Sequence, residues 1–233
     1  MPLSHVAKVL RLSTETMDEI VEVACRILSS GGVVALPTDT LYGVTTVLEH
    51  TDKLYALKKR TADKPLGIFV PSATDVSRVA ECSTVEVSLL RSLLPGPVTL
   101  IFDRGNALPV KFNPGVHAVG VRVPNSRFVQ ALTRRIGVPL AQTSANISGG
   151  PSPVQISDFE ELFPEIDLVV DGGLIGDGKE AVGSTIVDLS RKGFYHIIRE
   201  GCALLETSEL LHQAGLKETD IDEIMALRNT SKI

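Results

Sequence analysis

Three short stretches carry side chains suited to gripping anions. Lys58-Lys59-Arg60 ends a segment with helical spacing. A solvated charge cluster is the ordinary reading, and a helix C-terminus favours cations through its dipole. Residues two apart on a helix point about 200° apart, so Lys58 and Arg60 converge on one anion only if the helix ends between or just after them. Pro65 biases Lys64 away from helix and supplies such an ending. In residues 143–152, Ser144 and Asn146 share one face of an extended chain, and Ala145 takes the other. A hydroxyl and an amide there can donate to phosphate or ribose oxygens; a Ser/Asn/Gly loop is the plainer alternative. Thr38, Asp39 and Thr40 put three small polar side chains after an apolar strand, either as a turn or at the strand end where α/β sheets bind ligands.

Arg122 stands inside the apolar run Val119-Gly120-Val121-Arg122-Val123. A buried arginine needs an anionic partner, which is either a structural carboxylate or a ligand carboxylate gripped bidentately. Arg199 ends a further apolar run just before Gly201. Gly173, Gly176 and Gly178-Lys179-Glu180 nearly spell a phosphate-binding P-loop. Glu180 stands where a magnesium-binding hydroxyl is required, and no helix follows, so a surface loop is the better reading. No Ser-His-Asp or Cys-His set is visible, and His5, His50, His117, His196 and His212 are scattered.

The elements that must position these residues alternate between helix and strand periods. Met17, Ile20, Val21, Ala24, Ile27 and Leu28 mark a first helix, with Thr16 and Glu19 as a capping box and Gly31-Gly32 as its stop. Strands are expected at 33–36, 66–70, 98–102, 119–123, 140–143, 168–170, 185–189 and 195–198, and helices at 51–59, 74–80, 84–94 and around 128–136. Strands separated by helices predict an α/β fold with a mixed sheet flanked by helices. The hairpin-like spacing of the last two strands is what makes the sheet mixed. Residues 1–206 read as a single catalytic domain and 207–233 as a C-terminal helix with a polar tail.

The chain has 233 residues, with 23 Lys and Arg against 28 Asp and Glu, a net charge of −5. That balance argues against a protein coated in nucleic acid, though it permits a local basic pocket. Cys25, Cys82 and Cys202 are distant in sequence, which argues against a zinc site and suits a reducing compartment. No apolar run reaches the roughly 18 residues of a membrane helix, and residues 1–18 resemble no signal or transit peptide. A cytoplasmic protein is expected; an alternative start that sends a pool to an organelle is left open.

Taken in order, these segments resemble the YrdC family, the threonylcarbamoyl-AMP synthases, over residues 33–201. The resemblance rests on Pro37-Thr38-Asp39-Thr40-Leu41-Tyr42-Gly43, Lys58-Lys59-Arg60 with Lys64-Pro65-Leu66, Leu94-Pro95-Gly96-Pro97-Val98-Thr99-Leu100, Gly120-Val121-Arg122-Val123-Pro124, Thr143-Ser144-Ala145-Asn146-Ile147-Ser148-Gly149 and Gly183-Ser184-Thr185-Ile186-Val187-Asp188. Asp171-Gly172-Gly173 and Gly201-Cys202-Ala203-Leu204 are similar to the eukaryotic branch. The resemblance implies that L-threonine, bicarbonate and ATP give L-threonylcarbamoyl-AMP, pyrophosphate and water. A downstream transferase would then modify tRNA; weak tRNA binding by this chain itself is left open. The resemblance also implies that the mixed sheet is twisted and carries a large concave ligand cavity. It implies that Lys58, Arg60, Ser144 and Asn146 are catalytic and hold the nucleotide phosphates, with Ser152 and Arg199 also at ATP. It places Thr38, Arg122, Ser184 and Gln142 around threonine. Mg2+ is expected to accompany ATP, with no protein-bound metal. Three positions depart from the family pattern: Asp39 for a common Glu, Phe69 for a prokaryotic histidine, and Thr61 for a common proline. The alternative from another class is a non-catalytic RNA-binding module with a basic concave surface. A carbamoyl-phosphate-using adenylate enzyme is a further rival.

Overall fold

The computed structural model describes residues 7–58, 65–176, 181–220 and 222–224. In chain order it gives β1 (Lys8–Arg11), α1 (Met17–Ser29), β2 (Val34–Pro37), β3 (Tyr42–Val47), α2 (Thr51–Leu57), β4 (Gly67–Phe69), β5 (Ala80–Glu81), α3 (Val87–Leu93), β6 (Val98–Arg104) and β7 (Ala118–Arg122). There follow α4 (Arg127–Ile136), β8 (Leu140–Ser144), β9 (Leu168–Asp171), β10 (Thr185–Asp188), β11 (Phe194–Arg199), α5 (Leu204–Gln213) and β12 (Lys217–Glu218). Among the described residues no helix is long and apolar enough to cross a membrane.

The strands join in one mixed sheet in the order β1-β9-β2-β3-β8-β4-β7-β6-β10-β11-β12, with β5 on β6. Its two faces bury separate apolar sets. Ala35, Val44, Ala141, Ile68, Val121, Leu100 and Val187 pack under Leu54 and Leu57 of α2, Leu89, Leu90 and Leu93 of α3, and Leu211 of α5. On the other face Val34, Leu36, Phe69, Leu140, Leu168 and Val170 meet Ile20, Val21, Ala24 and Leu28 of α1 and Phe128, Val129 and Leu132 of α4. Central strands buried on both faces need continuous apolar runs, which is what these strands carry. Helix α4 is delimited locally: the Ser126 hydroxyl accepts from Val129 N, and Gly137 takes the left-handed conformation (φ 74°) that closes a helix.

Helices α1 and α4 cover only part of their face. Register places Gly67, Gln142 and Gly120 on that same face beside Phe69 and Arg122, yet all three are only half-buried. Two glycines in adjacent strands leave a depression in mid-sheet. A Cβ on Gly67 would overlap Gln142 Nε2, and one on Gly120 would press within 3.2 Å of Thr99 and Ile101 side chains. Two other cavities of about 310 Å3 lie elsewhere, one between Pro71, Leu94, Val123 and Arg134, the other between Val33, Lys53 and Asp167.

Several local expectations change. Thr16 makes no capping box: its hydroxyl donates to Arg11 O and accepts from Ser13 N, which ties the β1–α1 turn instead. The segment at 74–80 is a 3-10 helix over Ala73–Arg78, not an α-helix. Strand β3 was not expected, because its Thr45 and Thr46 interrupt the apolar pattern. Both hydroxyls are buried and satisfied, by Ala141 O at 2.7 Å and Gly32 O at 2.8 Å.

Candidate functional site

The site lies where strand ends β2, β7 and β8 meet the end of α2. Lys58 is the C-terminal cap residue of α2 and is 2% exposed. Its ammonium turns onto the end of β8, donating to Ser144 O and Asn146 Oδ1, each at 2.8 Å, with Asn146 O at 2.5 Å and Ser144 Oγ at 3.3 Å. Three ammonium protons are shared among four oxygens, so Lys58 is fixed in position rather than sampling solvent. Ser144 Oγ donates to Asn146 Oδ1 at 2.6 Å, and Asn146 Nδ2 donates to Gly150 O at 2.9 Å. Lys58, Ser144 and Asn146 are thus one cluster. Arg60 lies outside the described residues, as do Lys59, Lys64 and the Gly178-Lys179-Glu180 stretch.

Gly43 joins this cluster to the next. It faces Ser144 across the β3–β8 ladder, and a Cβ there would lie 3.9 Å from Thr38 Cγ2. Thr38 opens a tight turn: its hydroxyl donates to Leu41 O at 2.7 Å and accepts from Thr40 N and Leu41 N. The Thr38 hydroxyl is therefore engaged by its own turn. Arg122, at the end of β7, is 6% exposed and reaches that turn. Its Nη2 donates to Asp39 Oδ1 in an ion pair and to Thr40 Oγ1 at 2.8 Å, while its Nε is buried with no partner. Burial pulls the Arg122 pKa down and Asp39 opposes that pull. Of the two anions that residue types alone allowed for Arg122, the structural carboxylate is present on Nη2, and Nε and Nη1 make no hydrogen bond among the described residues.

On the far side of Arg122, Ser184 shares its hydroxyl with Thr99 Oγ1 at 2.8 Å and takes an N–H from Arg199 Nη2 at 3.1 Å. Arg199 also grips Ser184 O through Nε at 3.0 Å and Nη2 at 2.8 Å. Burial and then the positive charge of Arg122 lower the Arg199 pKa, so the two guanidinium groups sit within electrostatic reach of each other. Cys202 feels Arg122, Asp39 and Arg199 as well, and burial raises its thiol pKa. Gln142 lies beside Gly67 on the sheet floor. Ser152 is half-buried in the loop that is tied to Asn146 through Gly150 O and to Tyr42 N through Pro153 O. Tyr42 also fixes the glycine turn after β9. Burial pushes its phenol up to about 12, so it keeps its proton, donates to Gly173 O at 2.7 Å and accepts from Gly172 N at 2.9 Å.

Residues 201–203 lie directly on the start of β10: Cys202 N donates to Gly183 O and Ala203 N to Thr185 Oγ1, each at 3.2 Å. A Cβ at 201 would overlap Thr185 N, the Ser184 carbonyl carbon and Gly183 O, all of them backbone atoms that cannot yield. Gly201→Ala is therefore expected to cost about 3 kcal/mol or more, a fall of roughly 6–12 °C in melting temperature for a domain this size. Thermal unfolding checks this, and a shift under 2 °C would contradict the close approach.

Taken together, two guanidinium groups and a buried ammonium flank a small-residue floor, with one carboxylate among them. Such an arrangement has the charge to suit anions. Sequence reasoning named most of these residues; it missed Thr99, hidden inside an apolar strand, and the role of Asp39.

The family described as "Telomere recombination" (Sua5, YciO and YrdC) matches residues 26–201. Threonylcarbamoyl-AMP synthase of Bos taurus is 43% identical over 204 residues, covering 85% of this chain and 74% of the bovine one. The Homo sapiens protein of that name is 43% identical over 201 residues, covering 84% and 72%. Among solved structures, P. abyssi Sua5 complexed with L-threonine superposes with a TM-score of 0.78 at 26% identity, over 92% of this chain. This chain spans 62% of that archaeal one. With the motif order, the mixed sheet and the clustered cations all in place, the chain belongs to the Sua5/YciO/YrdC family.

Proposed function

We propose that this protein is an L-threonylcarbamoyladenylate synthase, converting L-threonine, bicarbonate and ATP to L-threonylcarbamoyl-AMP, pyrophosphate and water. The observation that carries the reading is the cluster of Lys58, Ser144 and Asn146 reaching through Gly43 to the Arg122 pocket. The 43% identity to mammalian synthases, and an archaeal relative crystallised with L-threonine, support it. A module that only held RNA would have no use for a buried guanidinium with an unsatisfied N–H beside a second guanidinium.

In the reaction the threonine amine adds to bicarbonate-derived CO2 and becomes a carbamate. A carbamate oxygen attacks the α-phosphorus, and pyrophosphate leaves with the bond electrons. No side-chain nucleophile is needed. The work is to hold two anions in register and to neutralise charge growing on the phosphates. We assign that neutralisation to Lys58 and Arg60, with Ser144, Asn146, Ser152 and Arg199 at the nucleotide. Arg122 takes the threonine carboxylate, and Thr38, Gln142 and Ser184 line the amino acid. Mg2+ enters as part of MgATP. A site that hydrogen-bonds the threonine hydroxyl rejects valine strongly, whereas the methyl that separates threonine from serine is worth about 1–3 kcal/mol. The product is an activated acyl-adenylate. A cytoplasmic transferase acting on tRNA is the consumer we assign, with at most weak tRNA contact by this chain.

The test is incubation with L-threonine, bicarbonate and MgATP, followed by pyrophosphate measurement and mass spectrometry of the adenylate. Threonine-dependent pyrophosphate with the expected adduct supports the reading. Salt-sensitive tRNA binding without threonine-dependent ATP consumption would replace it by the RNA module, and turnover only with carbamoyl phosphate would replace it by the related carbamoylating chemistry.

A further inference from the structure

We infer that Asp39 is a positioning residue that aims Arg122 at the amino-acid carboxylate and does not itself touch substrate; this rests on the reading of Arg122 given above. Both Asp39 oxygens are engaged from within the protein. Oδ1 accepts from Arg122 Nη2, and Oδ2 accepts from Asn125 N at 2.8 Å, on the loop between β7 and α4. Two contacts on opposite oxygens fix the plane of the carboxylate. Thr40 Oγ1 takes a further Nη2 proton, and the Thr38 hydroxyl holds the backbone of the turn that carries both residues. The turn Thr38-Asp39-Thr40 is therefore a holder for one nitrogen of the guanidinium.

What the holder leaves over gives the direction. Among the described residues Arg122 Nε and Nη1 make no hydrogen bond, and of the two Nε is buried. A native protein seldom tolerates such a donor unless something else satisfies it. Nη1 is the nitrogen that is neither engaged by the turn nor sealed, so it is the one a ligand carboxylate can reach, and Arg199 is close enough for its charge to be felt at Arg122. Asp39 also offsets the charge of Arg122. Attraction then depends on the orientation of N–H groups rather than on bare charge, which favours a planar carboxylate at one spot over any passing anion. Asp39 as a base toward the threonine amine, or as a partner for its ammonium, fits less well, because both of its oxygens are already oriented by Arg122 and Asn125.

The experiment compares wild type, Asp39→Asn and Asp39→Glu under saturating MgATP and bicarbonate, at a temperature well below all three melting points, with threonine affinity also measured by calorimetry. Asp39→Asn keeps the shape and removes the charge. Its expected signature is a rise of about tenfold or more in the threonine KM and dissociation constant, with kcat and the ATP KM changed less than about threefold. Asp39→Glu restores the charge on a longer stem, and its threonine KM falls between the other two. A threonine KM for Asp39→Asn equal to wild type, whatever happens to the melting temperature, overturns the inference and leaves Asp39 purely structural. A collapse of kcat at unchanged KM also overturns it, in favour of direct proton transfer. If Asp39→Asn does not fold, calorimetry on Asp39→Glu decides: weakened threonine binding supports the inference and unaltered binding refutes it. Wild type without any threonine-dependent pyrophosphate would instead sink the proposed function and this inference with it, a result distinct from an active wild type with a silent Asp39.

Discussion

Lys58→Met lowers kcat/KM for threonine-dependent pyrophosphate release by about 100-fold or more, in the range for loss of a preorganised charge at a reacting phosphate. Methionine has nearly the length and volume of the lysine stem, so the end of α2 keeps its packing while the charge disappears. The loss has two parts. The catalytic part is the missing ammonium. The structural part arises because Asn146 O loses its Lys58 donor, whereas Ser144 O keeps Asn146 N and Asn146 Oδ1 keeps Ser144 Oγ. Leaving buried acceptors unsatisfied costs about 1–3 kcal/mol. Denaturant unfolding measures the second part, and assays well below the melting point isolate the first. Lys58→Arg is not expected to restore activity. A rigid planar fork cannot reproduce a point charge shared among four converging oxygens. Turnover of Lys58→Met within tenfold of wild type would remove Lys58 from the chemistry and leave it as a strut between α2 and β8.

The Lys58 cluster was legible because each partner sits at an element boundary that the sequence marks. Pro65 follows the helix that ends at Lys58, and Ser144 and Asn146 follow an apolar strand with the alternation that puts them on one face. The sheet was legible for a similar reason: β2 is apolar throughout and β9 is apolar up to its last residue, Asp171, because both faces are covered. What escaped has a physical cause in each case. Strand β3 hides its pattern behind Thr45 and Thr46, whose hydroxyls are paid for by backbone carbonyls far away in sequence. Strands β5 and β12 are two residues long, too short for any period to show. The capping box at Thr16 failed because Arg11 O and Ser13 N claimed the hydroxyl first. In the site, a strand arginine announces that it needs an anion but not which one. Asp39 and Arg122 are 83 positions apart, and only the antiparallel and parallel pairings through β3, β8, β4 and β7 bring them together.

That ion pair makes the consequences of removing Arg122 separable. Arg122→Ala weakens threonine binding by about 100-fold or more while leaving ATP binding within a few-fold, because its guanidinium is the group we assign to the threonine carboxylate and can grip it bidentately. It also destabilises the fold. Asp39, with its side chain 10% exposed, loses the charge that neutralised it. Breaking a buried pair from one side costs about 3–5 kcal/mol, most of it the penalty of the charge left behind. Arg122→Ala combined with Asp39→Asn removes that orphaned charge. The double variant should regain stability relative to Arg122→Ala alone and regain no threonine affinity. A double-mutant cycle in unfolding free energy beside one in threonine affinity reads both effects. In the first cycle the two substitutions are strongly non-additive. In the second, Asp39→Asn adds nothing once Arg122 is gone, because a residue that acts only by aiming the guanidinium has nothing left to aim. A further loss of threonine affinity in the double variant would mean that Asp39 meets the substrate directly. Unchanged threonine affinity in Arg122→Ala would move the carboxylate elsewhere, with Arg199 the next cation in reach.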